Sequence, residues 1–243
     1  MDILTILCSM RDVCVRINQI VDTYYQYQNT TTLDLERCDI GDQGAQHLAD
    51  ALQDNKTLNT LNLGANDIDD QGVQYLADML QENKTLVTLN LNWNLITDEG
   101  VYHLASALRK NEKLITLYLR DNKIGPEGVK HLVSVLQNNT TLTTLNLSDN
   151  YIYAQGVQIL VNALKRNKTL TTLNLRNNDI HVGGEGVQYL ADALQENDVL
   201  TTLDLELSGV ECRGAQYLAN ALVKNKVKFL SRFRIVSLTY YFT

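Results

Sequence analysis

The feature that most constrains this chain is a repeat. The segments beginning at Thr57, Thr85, Thr141 and Thr169 each read Thr-Leu-x-Thr-Leu-Asn-Leu, and the frame advances by 28 residues from Leu61 to Leu89, Leu117, Leu145 and Leu173. The next step, to Leu203, is 30 residues because His181-Val182-Gly183-Gly184 lengthens one loop by two, and an earlier copy lies at Leu33, giving seven repeats. Self-similarity at a fixed period is the mark of a stacked array. Each unit can bury its apolar face only against a neighbouring copy, so about three or more are needed for stability.

The unit itself predicts its own secondary structure. Leucines alternate, as at Leu61 and Leu63 or Leu145 and Leu147, the period of a short strand with one buried face. Three residues on comes a column of asparagines, Asn66, Asn94, Asn122, Asn150 and Asn178, replaced by Cys38 and Ser208 in the first and last copies. A buried amide there can bond the backbone of its own turn and of the next repeat, satisfying groups that the bend leaves unpaired. An isoleucine or valine then returns to the core (Ile68, Ile96, Ile124, Ile152, Ile180, Val210), followed by a glycine column from Gly44 to Gly214, placed where a neighbouring backbone leaves no room for a Cβ. The helix after it is amphipathic, with Val73, Leu76, Ala77 and Leu80 on one face. A last column, Asn55, Asn83, Asn111, Asn139, Asn167, Asn197 and Asn225, ends each helix, and a left-handed terminating residue is the expectation there.

Two end pieces flank the repeats of residues 30–226. In residues 1–29, Ile3, Ile6, Met10, Val13, Ile17, Ile20 and Tyr24 form the stripe of an amphipathic helix. It reads as a cap on the first repeat, or as a seam for dimerisation or for a further domain. Residues 227–243 lose the repeat while staying apolar and basic, and read as a degenerate last strand covering the edge or as a basic membrane-touching tail.

The unit LxxLxLxxNxIxxxGxxxLxxxLxxN over residues 30–226 resembles the ribonuclease-inhibitor-like class of leucine-rich repeats, and is most similar to the repeat regions of NOD-like receptors. The resemblance implies an α/β leucine-rich-repeat solenoid, a curved horseshoe with a parallel β-sheet on its concave face and α-helices on its convex face. It also implies recognition of a protein on the concave face: sensing, scaffolding, nuclease inhibition or GTPase activation. Departures accompany it. The chain has four cysteines and one repeat type where ribonuclease inhibitor is cysteine-rich with two, has no GxxxxGK[ST] loop, and ends in a basic rather than acidic stretch. The segment from Leu7 to Asn18 resembles the last helix of an F-box, which adds a ubiquitin-ligase adaptor to the alternatives.

Composition narrows the function. A formal charge of −7, with five bases and no acids from Val223 to Thr243, leaves −12 on residues 1–222, which argues against nucleic acid as the partner. No apolar run approaches the roughly 20 residues a membrane span needs, the four cysteines lack CxxC spacing, and Met1-Asp2-Ile3 opens without a basic signal region, so a cytoplasmic, monomeric protein without cofactor is the expectation. No catalytic constellation stands out. His47, His103 and His131 share a repeat position with Tyr75, Ile159, Tyr189 and Tyr217, which is a helix flank and not a metal site.

The residues between and just after the strand leucines face out of the concave side. Most are Thr and Asn. The exceptions cluster: Trp93, the only tryptophan, lies one repeat from Tyr118 and Arg120, with Arg176 further along. Trp, Tyr and Arg are the types enriched at interface hot spots. The candidate partner-binding set is therefore Trp93, Tyr118, Arg120, Asn90, Asn146, Arg176, Asp204 and Glu206. Acids outnumber bases six to three across the outward positions, which favours a partner with a basic contact patch.

Overall fold

In the computed structural model, which describes residues 31–180 and 185–224, seven three-residue strands alternate with seven helices. The strands are β1 (Thr32–Asp34), β2 (Thr60–Asn62), β3 (Thr88–Asn90), β4 (Thr116–Tyr118), β5 (Thr144–Asn146), β6 (Thr172–Asn174) and β7 (Thr202–Asp204). The helices are α1 (Gly41–Leu52), α2 (Asp70–Glu82), α3 (Asp98–Leu108), α4 (Pro126–Leu136), α5 (Tyr153–Arg166), α6 (Glu185–Glu196) and α7 (Cys212–Lys224). One parallel sheet runs in sequence order from β1 to β7, with Leu61 beside Leu89 and Leu89 beside Leu117. Each strand and helix packs on the next copy, the architecture of a leucine-rich-repeat solenoid. The amphipathic helix expected in residues 1–29, the tail 227–243, Asn225 and the four-residue loop 181–184 lie outside the described residues.

Burial follows the repeat. Leu61, Leu63, Ile68, Val73, Leu76 and Leu80 of one unit are sealed from solvent, as are their equivalents in the units around it. From Gly72 to Gly186 the glycine column is a steric necessity, imposed mainly by side chains where a neighbouring backbone was expected: a Cβ at Gly100 would stand 2.5 Å from Asp70 Oδ1 and 2.7 Å from Ile96 Cγ2.

The first asparagine column is a buried ladder whose partners lie in its own turn, as expected, and in the preceding repeat instead of the next one. Asn122 Nδ2 donates to Leu119 O (3.1 Å) and Arg120 O (3.2 Å) of its own turn, and to Leu91 O (3.0 Å) one unit back. Its Oδ1 accepts from Ile96 N, also one unit back (3.1 Å). The direction follows from the bend. Gly64 N, which a continuing strand would offer to Leu35 O, bonds Asn62 Oδ1 instead, so Asn66 Nδ2 supplies the missing donor at 2.8 Å. Ser208 retains only the donating half, to Leu175 O at 2.7 Å.

The helix-ending column corrects the expectation of a left-handed terminator. Asn83 (φ −66, ψ 129) and Asn167 (φ −65, ψ 134) are extended. Their amides form a second ladder at the opposite end of the unit: Asn83 Nδ2 donates to Leu52 O (2.7 Å) and Asn167 Nδ2 to Leu136 O (2.6 Å), the last carbonyls of the preceding helices. Left-handed residues lie instead around the first ladder, just before it at Arg37, Ala65, Trp93, Asp121, Asp149, Asn177 and Leu207 and just after it at Asp39, Asp67 and Asp179.

Candidate functional site

The strand ends of the sheet face are engaged in a local task. The last strand residue folds its side chain over the turn and accepts from the backbone two residues on: Asn62 from Gly64 N, Asn90 from Asn92 N (2.9 Å), Asn146 from Ser148 N (2.9 Å) and Asp204 from Glu206 N (3.0 Å). Three residues of the expected site, Asn90, Asn146 and Asp204, therefore shape their own turns. Tyr118 occupies this column in β4 and cannot make that bond. Arg120 N is served from one repeat back, by Asn92 Oδ1 at 2.7 Å.

Around Tyr118 the expected residues assemble. The Arg120 guanidinium lies 5.1 Å from the centre of the Trp93 ring, a cation–π contact. Arg120 Nε and Asp149 Oδ2 stand 2.8 Å apart without the alignment of a hydrogen bond, so the link is a charge contact. Asn177 Nδ2 donates to the other oxygen, Asp149 Oδ1, at 2.9 Å. Trp93 is 39% exposed although its φ of 54 is unusual for a bulky residue. Asp149 was not distinguished among the outward residues by sequence. Its signal is positional, because it lies one residue past Ser148, the repeat equivalent of Arg120.

Arg176 and Glu206 form a separate pair: Arg176 Nη1 donates to Glu206 Oε2 at 2.6 Å across the last two repeats. At the other end Asn62 Nδ2 donates to Asp34 Oδ1 (2.9 Å) and Glu36 Oε2 (3.3 Å). Of the six acids counted toward a basic partner, Asp34, Glu36, Asp149, Asp204 and Glu206 thus have partners within the sheet face. Arg120 and Arg176 share one column with Ser148 between them, which is 1% exposed.

The helix face offers little chemistry. Tyr102 meets His131 edge-on at 5.2 Å and His103 at 5.5 Å. Among the described residues no group of three or more His, Cys, Asp or Glu is placed to hold a metal ion, and no helix is long and apolar enough to cross a membrane.

The repeat and its register match known families. A model of the TMOD/LMOD leucine-rich domain matches residues 96–227, more than half of the chain, and a leucine-rich-repeat model matches residues 31–49, 54–77 and 82–105. The chain belongs to the TMOD/LMOD leucine-rich domain family. Among solved structures it is similar to leiomodin-1 actin-binding site 2 (ABS2), with 25% identity and a TM-score of 0.51, over 61% of this chain and 88% of that one. No curated protein matches. The TMOD/LMOD match takes in Tyr118, Arg120, Asn146, Arg176, Asp204 and Glu206, whereas Asn90 and Trp93 fall within the repeat model's third segment.

Proposed function

We propose that the chain is a non-catalytic protein-binding module whose contact centre on the concave sheet face is Trp93, Tyr118 and Arg120, with actin as its partner. The observation that carries the site is the break at Tyr118. Every other strand-end residue from Asp34 to Asp204 accepts a hydrogen bond from its own turn, and this one has been given up for an aromatic ring beside Trp93 and Arg120. The choice of actin rests on the likeness to leiomodin-1 ABS2 and on the shared family. A cytosolic monomer with a sensing or scaffolding role fits the same reading.

The test uses substitutions already present elsewhere in the same columns: Trp93→Ala as at Ala65, Tyr118→Asn as at Asn90, and Arg120→Ser as at Ser148. Each restores the ordinary repeat, so the triple variant should melt no lower than the wild type. Binding to monomeric and filamentous actin is measured by anisotropy and co-sedimentation. Loss of even one hot-spot side chain is expected to cost about 2 kcal/mol, or roughly thirty-fold in affinity. Equal binding by the folded variant would remove the site from the concave centre, and no actin binding by the wild type would remove actin.

A further inference from the structure

The turns after the strands form a rim on which repeats 3 and 5, numbered by their strands, depart from the others. Directly after the ladder asparagines stand Asp67, Leu95, Lys123, Tyr151 and Asp179, of which Leu95 and Tyr151 are 38% and 54% exposed. Two residues further the column reads Gly41, Asp69, Thr97, Gly125 and Tyr153. Asp69 and Thr97 cap their helices, accepting from Gln71 N and Glu99 N with extended backbones (φ −103 and −104). Gly125 keeps that backbone without a side chain (φ −106).

Tyr153 cannot cap. Its φ is +55, the left-handed conformation that Gly41 adopts at the same place in repeat 1. A tyrosine there is strained where glycine is not. The Tyr153 N–H donates to Asn178 O of the next repeat (3.0 Å), as Gly41 N–H does to Asn66 O (2.9 Å), and its side chain, 41% exposed, carries a ring 6.5 Å from that of Tyr151. That inter-repeat bond calls for the left-handed backbone but not for a tyrosine, since Gly41 makes it in repeat 1, and exposed aromatic patches mark interaction surfaces.

Charge says what would cover them. Across repeats 1 to 6 the turn segments 37–42, 65–70, 93–99, 121–127, 149–155 and 177–179 hold eleven carboxylates and two bases. The opposite rim, at 53–59, 81–87, 109–115, 137–143, 165–171 and 195–201, holds five carboxylates and eight bases.

We propose that the rim at Tyr151 and Tyr153 is a second docking surface, which takes a partner's polypeptide segment carrying Lys or Arg beside apolar side chains. Carboxylates on neighbouring turns attract the bases at long range. The tyrosine faces accept aliphatic contacts and cations alike. This surface lies beyond the strand ends, off the sheet face that holds Tyr118, and does not rest on the proposed function.

The test titrates the full chain into three fluorescein-labelled peptides of equal length, alternating Lys/Leu, Lys/Ser and Glu/Leu, read by anisotropy. The Lys/Leu peptide is expected to bind, Lys/Ser more weakly and Glu/Leu not at all. A Tyr151→Ser/Tyr153→Gly variant should weaken Lys/Leu binding at least tenfold while melting no lower than the wild type, and Tyr118→Asn should leave that binding unchanged. Equal binding of Glu/Leu, retention by the rim variant, or loss with the Tyr118→Asn variant would each overturn the proposal. A lower melting temperature for Tyr153→Gly alone would show that packing holds the tyrosine, and would remove the argument from strain.

Discussion

Single carboxylates join successive repeats, and their environments give them opposite pH signatures. Asp42 Oδ1 accepts from Asp69 N (2.9 Å) and Gly72 N (3.1 Å) of the following unit. Burial, the largest influence, together with the nearby charge of Asp69, raises its carboxyl above the ordinary 3.8 despite those donors. Asp198, fully exposed and hydrogen-bonded by Lys168, is lowered from the same value. A raised folded-state pKa means that the native chain holds the proton more tightly than the unfolded one. The contribution of Asp42 is therefore fully present below pH 3.8 and is lost as pH rises through its folded value. That of Asp198 is present above 3.8 and is lost as pH falls through its own lowered value. Urea titrations across this range should show the stability difference between wild type and Asp42→Asn falling with rising pH, and that for Asp198→Asn rising. Two slopes of the same sign would contradict the two environments.

Within one unit, the strand, the first asparagine ladder, the glycine position and the amphipathic helix were all legible, because each is a periodic demand for one residue type at one spacing. What stayed hidden was direction and conformation. Nothing in the spacing tells whether Asn122 reaches back to Leu91 or forward to Leu147, since that depends on which carbonyl the bend leaves vacant. Asparagine after a helix is equally suited to a left-handed terminator and to a buried amide. For the same reason Trp93, Tyr118 and Arg120 stood out as deviations in residue type, whereas the turn-shaping tasks of Asn90 and Asn146 appear only with the backbone in place. The two accounts of the second column separate at Asn167, whose Nδ2 serves Leu136 O (2.6 Å) and whose Oδ1 accepts from Thr169 N (3.0 Å) and Leu170 N (2.7 Å). Asn167→Gly would be neutral or better for a left-handed terminator. In the extended backbone found here it strands buried polar groups at about 1–3 kcal/mol each. A loss of about 3 kcal/mol in denaturant unfolding is the expected result, and a change near zero would refute the second ladder.

At the scale of the whole molecule, the ladders couple each repeat only to its neighbours, so a complete unit should be removable. Deleting residues 59–86 joins Leu58 to Val87 in frame and sets repeat 3 against repeat 1. Asn94 then stands where Asn66 stood beneath Cys38 and Ile40, and Asp42 where Asp70 stood before Thr97 and Gly100. Deleting residues 115–142 preserves the frame equally well but removes Tyr118 and Arg120. Both shortened chains should unfold cooperatively, with a urea m-value lower by about one part in seven, since the slope follows the surface exposed. Only the first should keep affinity for the proposed partner, because Trp93, Tyr118, Arg120 and Asp149 remain side by side in it. Affinity lost in both chains would show that recognition spans the full length of the sheet. Affinity kept in both would show that the strand-end cluster of repeats 3 to 5 takes no part in binding. Failure of either chain to fold would show that the copies are not interchangeable, although they share one pattern of leucine, asparagine and glycine.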